Sequence, residues 1–149
     1  MSYDTLIRQT LALGEEEPWS VALFSNVSAL IMDALKELNW AGFYYVRGDR
    51  LTLGPFQGKV ACIHIDYGRG VCGTAWKQDA VQRVDDVHQF PGHIACDAAS
   101  NSEIVLPIHV DGAVFAVLDI DSPIPNRFTE EDQAGLTALV GAIEGILQS

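Results

Sequence analysis

The sequence predicts an α+β domain: a central antiparallel sheet with the N-terminal and C-terminal helices on one face and ligand-covering loops on the other. Two observations carry this reading. Apolar residues recur at helical spacing near both ends of the chain, and between them lie short aromatic and β-branched runs joined by turn signals. A length of 149 residues suits one domain spanning 1–149, large enough to bury a core without disulfide staples.

Residues 3–13 predict a short helix that stops at Gly14. Residues 18–38 predict a longer one, with Pro18 in its first turn and Val21, Phe24, Ile31 and Leu38 among the residues of its apolar stripe. The period changes at Trp40. WAGFYYV (40–46), the turn RGDR (47–50) and LTLGPF (51–56) read as a hairpin, and VACIHIDY (60–67) as a third strand. GRGVCGTAWKQ (68–78) opens on glycines and suits a helix start. AVQRVDDV (80–87) is a short strand, followed by a polar loop over 88–102 whose length in so compact a chain points to a use. SEIVLPIHV (102–110), the turn Asp111-Gly112 and AVFAVLDIDS (113–122) make a strong hairpin signal. The last helix starts from Thr129, with Asp132 placed to complete a capping box.

Charge and composition narrow the function. A net charge of −11 argues against nucleic acid and against an anionic membrane surface as partners, because both require a basic face. No apolar run approaches the ~20 residues of a membrane span. The N-terminal stretch has neither the basic segment nor the long apolar core of a secretion signal, so the expectation is a cytoplasmic protein with reduced thiols.

Three cysteines, an odd count, do not make a disulfide framework. Gaps of nine and 23 residues between Cys62, Cys72 and Cys96 contain none of the close pairs of structural zinc sites. His64 near Cys62 and His93 near Cys96 leave a mixed site open, but no metal is expected. Cys62, in a predicted apolar strand, reads first as a small hydrophobe. Cys72 stands at a predicted helix start, where the helix dipole lowers a thiol pKa, and its structural and chemical readings balance. Cys96 lies in FPGHIACDAASNSEIV, a segment with no apolar period, so chemistry is the stronger account there. Three thiols in a reducing compartment fit a cycle of sulfenic acid, disulfide and thiol exchange.

The carboxylates form a second group. Asp119 and Asp121 are two apart on a predicted strand and face the same side, and Glu103 opens the neighbouring strand. Each alone reads equally as a solvated strand end. Together in a partly buried site they would raise one another's pKa, giving a proton donor or an ammonium-binding site. Trp40 and Tyr44, four apart, also share a face. Each alone suits the core, and as a pair they suit a small ligand with a methyl-sulfur group.

NWAGFYYV, LGPFQGKVACIHIDYGRGVCGTAW, FPGHIACDAASNSEIVLPI and LDIDSP resemble the free methionine-(R)-sulfoxide reductases, stand-alone domains of the GAF fold. The resemblance runs from about residue 15 to the final helix. All three cysteines stand at the family's spacing in matching flanks, a set that generic GAF domains lack. It implies a single GAF-like catalytic domain that reduces free L-methionine-(R)-sulfoxide to methionine, with no bound cofactor and thioredoxin as external reductant. It further implies that Cys96 attacks the sulfoxide sulfur and Cys62 resolves the product. Cys72 lines the pocket as an alternative partner or shares the catalytic duty. Glu103, Asp119 and Asp121 would protonate the sulfoxide oxygen and hold the ammonium, and Trp40 would wall the methyl end. Dimerisation is common in GAF domains, and the terminal helices offer a face for it. The rival reading is a non-catalytic, small-molecule-binding GAF module.

Overall fold

Strands and helices follow the predicted order in the computed structural model, which describes residues 3–93 and 99–149. The helices are α1 (Tyr3–Glu16), α2 (Ser20–Ala34), α3 (Gly70–Gln78) and α4 (Glu130–Leu147). The strands are β1 (Trp40–Arg47), β2 (Arg50–Gly58), β3 (His64–Asp66), β4 (Gln82–Val84), β5 (Ser102–Val110) and β6 (Ala113–Ser122). They form one sheet in the order β3-β2-β1-β6-β5-β4, every neighbouring pair antiparallel. The predicted α+β class and antiparallel sheet are therefore observed.

The sheet's alternation separates two cores. On one face, Ala41, Phe43, Ile104, Leu106, Leu118 and Ile120 pack under α1, α2 and α4. Phe24 of α2 stacks on Phe43 with ring centroids 3.9 Å apart. On the other face, Trp40, Tyr44, Val105 and Val117 meet Val71, Cys72 and Ala75 of α3. The terminal helices thus share one face, and α3 with the connecting segments covers the other.

Several boundaries differ from the sequence reading. Gly14 does not stop α1. A Cβ there would lie 2.5 Å from the Ile146 side chain, so the glycine lets α1 approach α4 closely. The helix predicted over 18–38 occupies Ser20–Ala34, with Leu35 turning to extended backbone and Glu37 at φ 61. Strand 60–67 shrinks to His64–Asp66. Its partner β2 carries a register shift opposite Gly42 to Tyr44, and Pro55 lacks an N–H to offer. Register between β2 and β3 consequently runs over Arg50 to Thr52, with one further bond from Leu53 N to Ile63 O at 2.8 Å. Val60 and Ile63 are left 89% and 62% exposed, and Cys62 lies in the connection rather than in a strand. Strand 80–87 likewise shortens to Gln82–Val84 and runs into a 3₁₀ turn over Val87–Gln89. The Asp111-Gly112 turn holds, with both residues at positive φ.

Two polar clips fix the helices. Thr129 Oγ1 accepts from Asp132 N at 3.1 Å, and Asp132 Oδ2 accepts from Thr129 N at 2.9 Å, the expected capping box. At the other end of α4, His109 of β5 is held between Glu144 Oε2, 2.6 Å from Nδ1, and Asp79 Oδ1, 2.5 Å from Nε2. Burial alone would lower the His109 pKa, but hydrogen bonds to both carboxylates and their charges outweigh it and raise it.

Replacing Thr129 by Ala is expected to cost about 1 kcal/mol in urea unfolding, because an Asp132 N–H and the cap geometry lose their acceptor. His109 contributes a pH-dependent part. A raised folded pKa stabilises below the ordinary value of about 6.5, and that contribution disappears as pH rises through the raised value. The Tm advantage of the unmodified protein over His109→Gln should therefore shrink as pH climbs past 6.5, as scanning calorimetry would read.

Candidate active site

Antiparallel register builds the site. Glu103 of β5 pairs with Asp121 of β6, and Val105 with Asp119. Asp121 pairs on its other side with Trp40 of β1, and Asp119 with Gly42. Glu103, Asp119, Asp121, Trp40 and Tyr44 thus project from the sheet face opposite the terminal helices, and all line one pocket. The predicted sharing of a face by the two aspartates and by the two aromatics is borne out, and Glu103 joins them.

The aromatic wall is braced. Trp40 stacks on Tyr44 at 6.0 Å and on Phe56 at 5.2 Å between ring centroids. Trp40 Nε1 donates to Lys59 O at 3.1 Å, and Tyr44 Oη donates to Cys62 O at 2.9 Å. These bonds tie the 59–62 connection to β1 and place Cys62, partly buried, beside the wall. Gly42, between the two rings, leaves no room for a side chain: a Cβ would lie 2.3 Å from Phe56 Cβ and 2.8 Å from the Trp40 ring.

The carboxylates are nearly sealed, with Glu103, Asp119 and Asp121 each less than one-tenth exposed. Burial first, then the charges of Asp119 and Asp121, push the Glu103 carboxyl well above the usual carboxylate range. Asp119 is raised as well by burial, an effect that hydrogen bonds from Glu103, Cys72 and Asp121 partly offset. Burial and its neighbours thus favour the protonated form of Glu103, which donates toward the two aspartates. Asp119 Oδ1 is buried with no hydrogen-bond partner among the described residues.

Cys72 lies at the third residue of α3, with its Sγ 4.0 Å from Glu103 Oε2. The helix start predicts a lowered thiol pKa, and the structure corrects this. Burial, then Asp119, Glu103 and Asp121, raise the Cys72 pKa well above that of an ordinary thiol. Three nearby carboxylates outweigh the partial charge of one short helix. Among the described residues Cys72 is a free thiol, whereas Cys62 is disulfide-bonded. Cys96, the expected nucleophile, lies outside the described residues.

Some lining residues carried no signal in the sequence. Arg69 and Ser100 belong to irregular segments, and Ser100 Oγ accepts from Asn39 Nδ2 at 3.1 Å. His93 also lines the pocket, and burial, then His88, lower its pKa despite the pull of Asp119. It is thus less readily protonated than an ordinary histidine. At the pocket edge the N–H groups of Gly70, Val71 and Cys72 open α3 and have no acceptor within the helix. The donor atoms of Cys72, Glu103 and Asp119 are the group among the described residues compact enough to hold a metal, and His64 is not part of it.

The GAF domain pattern matches residues 23–148. The free methionine-R-sulfoxide reductase of Escherichia coli (strain K12) is 54% identical over 145 residues, which cover 97% of this chain and 88% of that one. The chain belongs to the GAF-domain family of free methionine-R-sulfoxide reductases. Among solved structures, fRMsr of Staphylococcus aureus in complex with substrate is similar with a TM-score of 0.93 at 51% identity, covering 98% of this chain and 95% of that one. The free methionine-R-sulfoxide reductase from Neisseria meningitidis, in complex with its substrate, gives 0.93 at 39% identity, covering 97% and 87%.

The environment of Cys72 has a direct chemical consequence. In the folded, reduced protein at about pH 8, iodoacetamide should modify Cys72 at least roughly tenfold more slowly than in urea, because both thiolate fraction and access are low. Peptide mass mapping over time checks this.

Proposed function

We propose that the protein reduces free L-methionine-(R)-sulfoxide to methionine. The observation that carries this is Glu103 buried with Asp119 and Asp121 against the Trp40–Tyr44 wall, in a pocket lined by Cys72 and with Cys62 packed beside the wall. The substrate complexes of the Staphylococcus aureus and Neisseria meningitidis relatives support it.

Each part of a free sulfoxide amino acid meets a complementary group. The methyl-sulfur end packs on Trp40. The ammonium is taken by Asp119 and Asp121, whose charge it neutralises in a site that cannot bury charge unpaired. The carboxylate is taken by the opening N–H groups of α3, where the helix dipole favours an anion. A methionine inside a peptide has neither charge, so this site selects the free amino acid.

A sulfoxide oxygen leaves once protonated, and Glu103 supplies the proton. The Cys96 thiolate attacks sulfur and forms an S–S bond as the protonated oxygen departs as water. Water then attacks the Cys96 sulfur, and the S–S bond breaks with its electron pair going to methionine. A proton is returned to the site, and Cys96 is left as sulfenic acid. The Cys62 thiol condenses with it, forming a disulfide and releasing water. A thioredoxin-type dithiol then reduces the disulfide by exchange. Net, one sulfoxide and one dithiol give one methionine, one disulfide and one water. The disulfide state of Cys62 supports its role as resolver, and the raised pKa of Cys72 makes it the reserve thiol. The setting we infer is the cytoplasm; no described helix is long and apolar enough to cross a membrane. Exposed Leu11, Trp19 and Val21 at the start of the chain support a pairing of two copies through the terminal helices.

The reduced protein should convert free methionine-(R)-sulfoxide in the presence of dithiothreitol or thioredoxin and leave the (S)-epimer and peptide-bound sulfoxide unchanged. Cys96→Ser should abolish turnover, and Glu103→Gln should lower kcat about 10²- to 10⁴-fold. Binding of the sulfoxide without turnover would point to a ligand-binding module instead. Non-reducing peptide mapping after one turnover should recover a Cys62–Cys96 link; a Cys72–Cys96 link would reassign the resolver.

A further inference from the structure

We propose that Cys72, Glu103 and Asp119 form a binding site for a thiophilic divalent cation, zinc above all, and that the bound ion and the substrate exclude one another. The exclusion rests on the function proposed above; the metal site does not.

The three donor atoms lie within 4.8 Å of one another, and Cys72 Sγ is 4.0 Å from Glu103 Oε2. In a tetrahedral zinc site, bonds of about 2.3 Å to sulfur and about 2.0 Å to oxygen place neighbouring donors roughly 3.5 Å apart. The set needs to close by only about 1 Å, a rotamer adjustment. Asp119 supplies an independent sign of a ligand. Its Oδ1 is buried and has no hydrogen-bond partner among the described residues, and Asp119 lines the pocket. A cation bound by the Asp119 carboxylate offers that oxygen a partner.

Donor chemistry selects the ion. Magnesium and calcium require oxygen ligands in larger number, and a sulfur ligand discriminates against both. Zinc takes thiolate and carboxylate together, and three protein ligands leave the fourth position open to the pocket. These donors come from α3, β5 and β6, so a search for closely spaced cysteine and histidine pairs does not find them. A substrate ammonium would use Asp119 but gains nothing from Cys72, whereas a thiophilic ion uses both. Because the two draw on the same aspartate, only one can occupy the site.

Cobalt(II) reports the site without turnover. Reduced protein, freed of reductant and titrated anaerobically with Co²⁺, should develop a near-ultraviolet thiolate-to-cobalt charge-transfer band that saturates at one equivalent. One equivalent of Zn²⁺ should bleach it. Cys72→Ser should remove the band, and Asp119→Asn, which keeps the thiol, should weaken Co²⁺ binding at least about tenfold. No band at stoichiometric Co²⁺ overturns the site. So does a band that survives Cys72→Ser, which would place the metal on Cys62 or Cys96. If Cys72→Ser does not fold by circular dichroism, Asp119→Asn decides, and unchanged affinity overturns the proposal. In the sulfoxide assay, zinc should raise KM tenfold or more with kcat unchanged; a fall in kcat at constant KM overturns the exclusion. A protein that forms the band yet reduces no sulfoxide keeps the metal site and removes the function proposed above.

Discussion

Glu103 and Asp121 face one another across β5 and β6, and Asp119 follows two pairs along on the same face, so the register of a single hairpin puts three carboxylates into one buried space. Three negative charges cannot coexist there at an ordinary pKa. Burial and the neighbouring charges favour a protonated Glu103, which then donates to the two aspartates. Other features of this face follow. The pocket must admit a cation or remain partly protonated, and any thiol packed against it must resist ionising, as Cys72 does.

The opposite face supplies the rigidity that such a cluster needs. Buried carboxylates stay close only if β5 and β6 cannot slide, because a shift of one residue would carry all three to the helix side. Ile104, Leu106, Leu118 and Ile120, interleaved with the acidic positions, are locked under α4 and its neighbours. The capping box at Thr129 and the His109 clip pin the two ends of α4. His109 also reaches Asp79 at the C-terminal end of α3, so one side chain couples the helix carrying Cys72 to the helix layer across the sheet.

The sequence made legible what depends on local period, and much less of what depends on pairing. Asp119 and Asp121 share a strand, so their common face follows from alternation alone, as it does for Trp40 and Tyr44. The α4 start was legible because a capping box is written within four residues. Gly14 misled because a glycine that ends a helix and one that lets two helices touch look alike. Cys62 misled because VACIHIDY has strand composition, while the partner that would make it a strand is bent by a bulge at Pro55. For Cys72 the helix start was correctly placed, but the sign of the pKa shift was not. The carboxylates that decide it come from 31 or more residues away, and no spacing rule registers their approach. Arg69, Ser100 and His93 enter the pocket through irregular chain, where side-chain direction has no period to read.

The same cluster constrains which thiol can act. A general acid must hold its proton until the sulfoxide arrives, and an attacking cysteine must have lost its own. One environment cannot serve both, because the low-dielectric, anionic surroundings that keep Glu103 protonated also keep Cys72 protonated. The nucleophile therefore has to come from outside the cluster and meet the acid only across the bound substrate. The ammonium reinforces this order. In the function proposed above, an ammonium that neutralises the aspartates would weaken the electrostatic support for the Glu103 proton and make that carboxyl a better donor with a substrate in place. Under that reading, a buried cluster that is a poor acid when empty and a better one when occupied would couple proton release to recognition of a free amino acid, with no moving part beyond the substrate's own charge.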